Sequence, residues 1–289
     1  MPYANTFKDL EKSKLSLVKA EHEIWHGFIF ARFGGDAPAI ADTLAPVEKM
    51  LTSYRAAAMQ PLRKPFYETR PYNWKVIHDI DNEGYHVPIG HPGLQSLYGN
   101  DYKDLLMDDV PVSIGNIQAA DRYDTWSVAR YKKVLPRFPH LTEKEQSRWV
   151  YIGIFPNAVF AFYPDMMEFY MTLPESPTQT RYCSAAYGLP DNRRATRLTR
   201  YLNERINMRT EAEDESFVSW LQEGLNSSAF PEIKLSAIES GVRDFHKRIQ
   251  GILPMANLKH APPAEKSPKL IGGFDFFLAL FRRRKSGMT

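Results

Sequence analysis

A single cysteine, Cys183, stands in the 289 residues, so neither an internal disulfide nor a thiolate cluster can be built from them. No export signal of the charged-then-apolar kind opens the sequence, and a reducing, cytoplasmic setting is the expectation. Long apolar runs are also missing. The longest, Phe274 to Phe281, is interrupted by Asp275 and is far shorter than the roughly 20 residues that span a bilayer. Neither sign of charge dominates, with 37 Lys and Arg against 34 Asp and Glu. Much of the small excess sits in one run, Arg282-Arg283-Arg284-Lys285, rather than in a basic stripe interleaved with aromatics, so no nucleic-acid partner is expected. No repeat of the 20 to 50 residue kind is present, which excludes a solenoid.

What is there is enough apolar residue for one large core, at 43% of the chain. Residues 14 to 33 read as two strands, with Trp25-His26-Gly27-Phe28-Ile29-Phe30 suited to a pleated surface. A helix near 41 to 54 and extended chain to Tyr72 follow. From Trp149 to Tyr187, aromatic and β-branched runs are punctuated by Phe155-Pro156-Asn157 and Tyr163-Pro164-Asp165, the pattern of an antiparallel meander. Three helices are expected near 191 to 208, 211 to 226 and 236 to 253. In the last, Ile238, Val242, Phe245, Ile249 and Ile252 recur at spacings of three and four. The predicted fold class is α+β, an antiparallel sheet with a long amphipathic helix laid across it. The domain is expected over 21–255, with 1–20 a remnant of an interdomain segment and 256–289 a poorly ordered tail rich in Pro, Lys and Ala.

The segment Asn73 to Pro92 carries the chemistry. His86 and His91 stand five apart, a spacing that 8 histidines in 289 residues produce by chance about 0.2 times, so the pair alone is a weak signal. On a straight helix their side chains would diverge by about 140°, so meeting at one ion requires the backbone to leave helical geometry between them, where Pro88 and Gly90 lie. Two neutral imidazoles suit iron, zinc or copper and leave a divalent ion in need of another ligand. Asp214 is the candidate. Phe217, Val218, Leu221 and Leu225 lie 3, 4, 7 and 11 residues beyond it, which places it on an apolar stripe that excludes Glu211 and Glu215. A carboxylate there needs a strong partner; the other reading is an acid near a helix N-terminus favoured by the dipole.

These residues carry a resemblance. Asn-Trp-Lys, an acid, Tyr-His, four residues and His-Pro, followed far along the chain by Glu213-Asp214 and Leu221-Gln222-Glu223-Gly224-Leu225, resembles the catalytic domain of the large (alpha) subunits of Rieske ring-hydroxylating oxygenases, over roughly residues 12 to 254. The resemblance implies a helix-grip-like domain in which His86, His91 and Asp214 hold a mononuclear Fe(II), with open positions for dioxygen beside a small organic substrate. It also implies a ring-shaped homotrimer. There an acid three residues before the first histidine, here Glu83, links the iron to the Rieske cluster of a neighbouring subunit. Glu83 would orient the metal-bound imidazole from the domain surface; otherwise it is a surface acid at a helix turn. Tyr85 and Trp74 read as packing residues. His22, His26, His78, His140, His246 and His260 lack matching partners and read as structural or surface histidines.

The sequence departs from that family in three places. One cysteine cannot supply the two thiolates of a Rieske centre, so no Rieske [2Fe-2S] cluster is expected in this chain, which looks like a stand-alone, split or truncated large subunit drawing electrons from a separate Rieske or reductase protein. Ile80 stands where the family often has an asparagine. The segment after Pro254 has no counterpart and could dock on a membrane surface or partner. Expected pocket-lining residues are Phe160, Phe162, Tyr170 and Phe217. Glu83 and the Glu213-Asp214 pattern look more like the branch acting on quaternary ammonium compounds such as choline, carnitine or betaines than like the aromatic dioxygenases. Two other readings stand beside the oxygenase: a non-catalytic remnant or assembly subunit that keeps the fold, and a zinc hydrolase using the same ligands.

Overall fold

In the computed structural model the described residues are 20–33, 37–229 and 234–253, with the isolated residues 6, 15 and 17. Most of 1–20 and all of 254–289 lie outside them. The chain divides into two units, Met1–Phe245 and His246–Thr289.

Two strands, β1 (Glu21–Trp25) and β2 (Phe28–Arg32), form an isolated antiparallel hairpin. Its two-residue turn, His26-Gly27, has φ of 48° and 89°, the paired left-handed conformations that suit the twist of a tight hairpin. The aromatic run from Trp25 to Phe30 is therefore folded back on itself at its middle. Helices α1 (Ile40–Thr43) and α2 (Ala45–Leu51) follow. The stretch to Tyr72 then contains two 3₁₀ turns and the strands β3 (Gln60–Pro61) and β4 (Phe66–Arg70).

Next come three short helices, α3 (Trp74–Asp81), α4 (Val87–Gly90) and α5 (Pro92–Tyr98). The remaining strands are β5 (Tyr102–Met107), β6 (Val110–Asn116), β7 (Arg148–Ile154), β8 (Ala158–Phe162), β9 (Met167–Ser176) and β10 (Gln179–Gly188). Helices α6 (Trp126–Val134) and α7 (Glu143–Gln146) lie between β6 and β7, and α8 (Arg194–Asn226) and α9 (Ser240–Ile252) close the described chain. Strands β5 to β10 run as a continuous antiparallel meander, and β3 and β4 share the outer edge of β10. The fold is thus α+β, as the patterning predicts.

Side-chain alternation sorts the meander into two buried faces. Val150, Ile152, Phe160 and Phe162 point to one core, with Trp25, Leu51 and Tyr54. Trp149, Ala161 and Tyr163 point to the other, under α5, α6 and α8 through Leu97, Tyr131 and Leu202. Both faces are covered, so these strands read as nearly unbroken apolar runs, and each fully buried Val or Leu contributes roughly 1.5–3 kcal/mol. No helix among the described residues is long and apolar enough to cross a membrane.

Two helical expectations are corrected. The segments 191 to 208 and 211 to 226 are one helix of 33 residues. No glycine or proline interrupts Arg209-Thr210-Glu211-Ala212, and one threonine costs a helix only tenths of a kcal/mol. The long helix laid on the sheet is this α8 rather than the last one. Helix α9 starts at Ser240, so Ile238 precedes it and is exposed, while Phe245 packs edge-on against Trp74.

Candidate metal centre

The site is assembled from two places far apart in sequence. Asn73 caps α3 by accepting a hydrogen bond from the Lys75 amide, and α3 ends in the turn Asn82 to Tyr85 that delivers His86. Helix α4 then spans a single turn, with Pro88 near its start and the His86 carbonyl accepting from the Gly90 amide at 2.7 Å. The chain stays helical through Gly90 and leaves helical geometry at His91 itself, whose φ and ψ are −123° and 82°. The break comes one residue later than the position of Pro88 and Gly90 suggests. Gly90 serves a different end: a Cβ there would lie 2.6 Å from Cε2 of Phe217, so its lack of a side chain lets the Phe217 ring approach the histidines, 5.8 Å from His86 and 6.2 Å from His91 between centroids.

Helix α8 supplies the rest. Its inner face carries Thr199, Leu202, Asn203 and Ile206 into the core, and the same face continues at helical spacing to Asp214 and Val218. The structure brings His86, His91 and Asp214 together. His86 Nε2 and His91 Nε2 are 3.0 Å apart, and Asp214 Oδ1 is 2.9 Å from His91 Nε2 and 3.6 Å from His86 Nε2.

The outer nitrogens of both rings are committed. Glu83 Oε1 accepts from His86 Nδ1, and Glu213 Oε2 accepts from His91 Nδ1 at 3.0 Å. Both carboxylates fix the Nδ1–H tautomer, so the neutral rings present Nε2 lone pairs to each other and to a carboxylate oxygen. That arrangement is repulsive without a positive charge at its centre. Asp214 Oδ1 is enclosed and makes no aligned hydrogen bond. The three atoms are spaced so that a point about 2.1 Å from each exists, about 1 Å out of their plane, which suits a two-histidine, one-carboxylate facial set for a divalent ion.

Without an ion, the same electrostatics draw protons. Burial disfavours the imidazolium of His86, but Asp214 and Glu83 outweigh it and push its pKa up to about 9. His91 is raised against burial by Asp214 and Glu213. Burial opposes ionisation of Asp214, yet the two imidazoles hold its carboxyl below the usual carboxylate range.

Glu83 is not on the surface. It is 8% exposed, and besides His86 Nδ1 it accepts from the Tyr85 and His86 amides at 2.9 and 3.3 Å. Three donors from its own turn enclose it, whereas Tyr85, expected to pack, is exposed. His78 is buried and bonded to Thr172 Oγ1 at 2.8 Å, the structural role expected of it.

Beside the three atoms lies a cavity of about 220 Å³. Tyr170 lines it as expected. Phe160 and Phe162 do not: strand parity turns them to the opposite core and leaves Val159 and Ala161 on the cavity side. Phe217 flanks the histidines instead. Glu211 and Glu215, placed off the buried stripe by helical spacing, line the cavity too, because Arg70 binds Glu211 and the Tyr72 hydroxyl donates to Glu215 at 3.3 Å. Sequence reasoning also missed Asp81 and Glu168. Burial pushes each of their carboxyls up to about 7. The period-two pair Glu168 and Tyr170 in β9 was the available signal for one of them.

The family model described as "Ring hydroxylating alpha subunit (catalytic domain)" matches residues 52–254. No curated protein matches the sequence. Among solved structures, the quaternary ammonium Rieske monooxygenase CntA in complex with the inhibitor MMV12 superposes with a TM-score of 0.66 at 19% identity, covering 86% of this chain and 66% of that one. Naphthalene 1,2-dioxygenase with indole in its active site gives 0.59 at 17% identity, over 86% and 68%. The naphthalene 1,2-dioxygenase from Rhodococcus sp. bound to indole gives 0.58 at 14%, over 80% and 66%. The chain thus spans about two thirds of the length of these proteins.

Proposed function

The chain belongs to the ring-hydroxylating alpha-subunit family through its catalytic domain, and from that premise we propose that it is the mononuclear Fe(II) component of an oxygenase that hydroxylates or demethylates a small organic substrate with dioxygen. The observation that carries this reading is the approach of His86 Nε2, His91 Nε2 and Asp214 Oδ1 to within 2.9 to 3.6 Å of one another around a point that needs positive charge. His86, His91 and Asp214 would hold the iron, which when bound supplies the activation of dioxygen. Three protein ligands would leave further positions open on such an ion, and His86, His91 and Asp214 all line the cavity. Its volume of about 220 Å³ lies below the range of about 300 to 1,000 Å³ usual for ligand chambers; this favours a compact substrate. The tyrosines and acids of its lining, and CntA as a neighbour in fold, favour a quaternary ammonium compound.

The protein's own residues position and exclude. Glu83 and Glu213 fix both imidazoles by their Nδ1 protons. Phe217 closes over the rings at Gly90, and Val87, Leu94 and Val218 form apolar wall beside them. Electrons would come from a Rieske centre outside these 289 residues, whose single cysteine cannot build one. In a trimer such a centre would sit on a neighbouring subunit and reach His86 through Glu83. Within this chain the last link of such a path would be the Glu83 carboxylate, which accepts from His86 Nδ1.

Hydrogen peroxide tests the reading, since it delivers oxygen and electrons together. The Fe(II)-loaded chain, given peroxide and a quaternary ammonium substrate such as choline, carnitine or a betaine, is expected to form a hydroxylated or demethylated product, and His86→Ala to form none. Product formation undiminished in His86→Ala would refute it.

A further inference from the structure

The acids around the cavity do not balance. Six of its lining residues are carboxylic acids, Asp81, Glu83, Glu168, Glu211, Asp214 and Glu215, against two arginines, Arg63 and Arg70. Both arginines are already countered. Arg70 is bound by Glu68 and Glu211 and lies 3.8 Å over the Tyr182 ring; Arg63 reaches Glu168 at 3.6 Å and Glu204 at 3.3 Å. Two of the acids belong to the histidine cluster, through which a divalent ion would offset them.

Asp81 is left over. It ends α3, two residues before Glu83, and lines the cavity with 25% of its side chain accessible. Tyr170 lines the same cavity. Asp81 Oδ2 is enclosed without a hydrogen bond. The nearest basic group, His78 Nδ1, is 3.4 Å away, but burial pushes that imidazole down to about 4 and keeps it neutral. No lysine or arginine pairs with Asp81 among the described residues. A buried carboxyl in that position carries a cost that a cation in the cavity would remove.

We propose that Asp81 is the counter-charge for the cationic head of the substrate and sets the cavity's preference for an organic ammonium over a neutral molecule of the same shape. The inference rests on the reading of the cavity as the substrate chamber. Tyr170, stacked on Tyr182 at 5.4 Å, adds aromatic surface of the kind that ammonium groups favour to the same cavity.

Choline and its neutral isostere 3,3-dimethylbutan-1-ol separate charge from shape. Calorimetric titration of the Fe(II)-loaded, anaerobic chain is expected to show choline binding at least tenfold tighter than the alcohol. In Asp81→Asn that ratio should fall to within about threefold, with iron content and the circular dichroism melt unchanged. Glu168→Gln, which alters an acid already paired with Arg63, should keep most of the preference. Equal affinity of the two compounds for the wild-type chain, no choline binding, or a preference that survives in Asp81→Asn would overturn the proposal. Equal affinity in the wild-type chain overturns the proposal even if Asp81→Asn fails to fold. Because binding is read without turnover, a chain that holds iron but ignores charge removes Asp81's role alone, whereas one that selects choline but holds no iron removes the oxygenase reading alone.

Discussion

Nε2 of His86 and Nε2 of His91 face each other at 3.0 Å, while the Nδ1 of each ring is held by a carboxylate of its own, Glu83 for one and Glu213 for the other. Two acceptors at that distance are tolerated only where a cation or proton lies between them. The pairing makes Glu83 and Glu213 counterparts, one preceding its histidine by three residues and the other reaching it from α8.

Neutralising either carboxylate should loosen a ring without removing a ligand. Glu83→Gln and Glu213→Gln are each expected to weaken Fe(II) affinity by about 10- to 100-fold, the usual effect of losing a partner that orients a metal-bound histidine. Competition with a calibrated chelator measures it. Glu83→Gln should in addition lose electron delivery from a reduced Rieske protein out of proportion to its remaining iron, which single-turnover oxidation of that donor would detect; Glu213→Gln should not.

Gly90→Ala should disturb the site through packing alone. The new methyl group would meet Phe217 at 2.6 to 2.8 Å, and relieving such overpacking costs typically 1–3 kcal/mol. Urea denaturation should show a loss in that range, and Phe217→Leu in the same chain should recover most of it. Full additivity of the two changes would mean that the two residues do not touch.

Much of this was legible. The meander follows from turn residues between aromatic runs, and the metal segment from the order of Glu83, His86 and His91. The gaps have physical causes. The junction at Thr210 looked like a helix boundary because apolar periodicity lapses where α8 passes the polar cavity, and a polar lining inside a fold is indistinguishable by pattern from a solvent face. The same ambiguity hid Glu211, Glu215 and Asp81, and it made the enclosed Glu83 look like a surface acid. Phe160 and Phe162 were misplaced because β8 is covered on both faces, which removes the alternation that would have shown which side they take.

His78 should make the fold sensitive to acid. Burial pushes its pKa from about 6.5 down to about 4, so below pH 6.5 the unfolded chain binds a proton that the folded chain refuses. Stability is fully present above pH 6.5 and falls as pH drops through the window to about 4, by up to about 3 kcal/mol. Asp81, raised to about 7, acts in the opposite sense, losing stability as pH rises from about 4 to 7. Comparing denaturation midpoints of the wild type with His78→Gln, which keeps a donor for Thr172, isolates the histidine. The variant should lose less between pH 6.5 and 4, and parallel pH profiles would contradict the assignment.

Iron stoichiometry tests the central claim most directly. The purified chain, loaded anaerobically with Fe(II) and freed of excess, should retain about one iron per polypeptide by elemental analysis. Asp214→Ala, verified as folded by circular dichroism, should retain almost none, because it removes the carboxylate oxygen that completes the set with His86 and His91. Iron bound equally by wild type and Asp214→Ala, or none bound by the folded wild-type chain, would contradict the account.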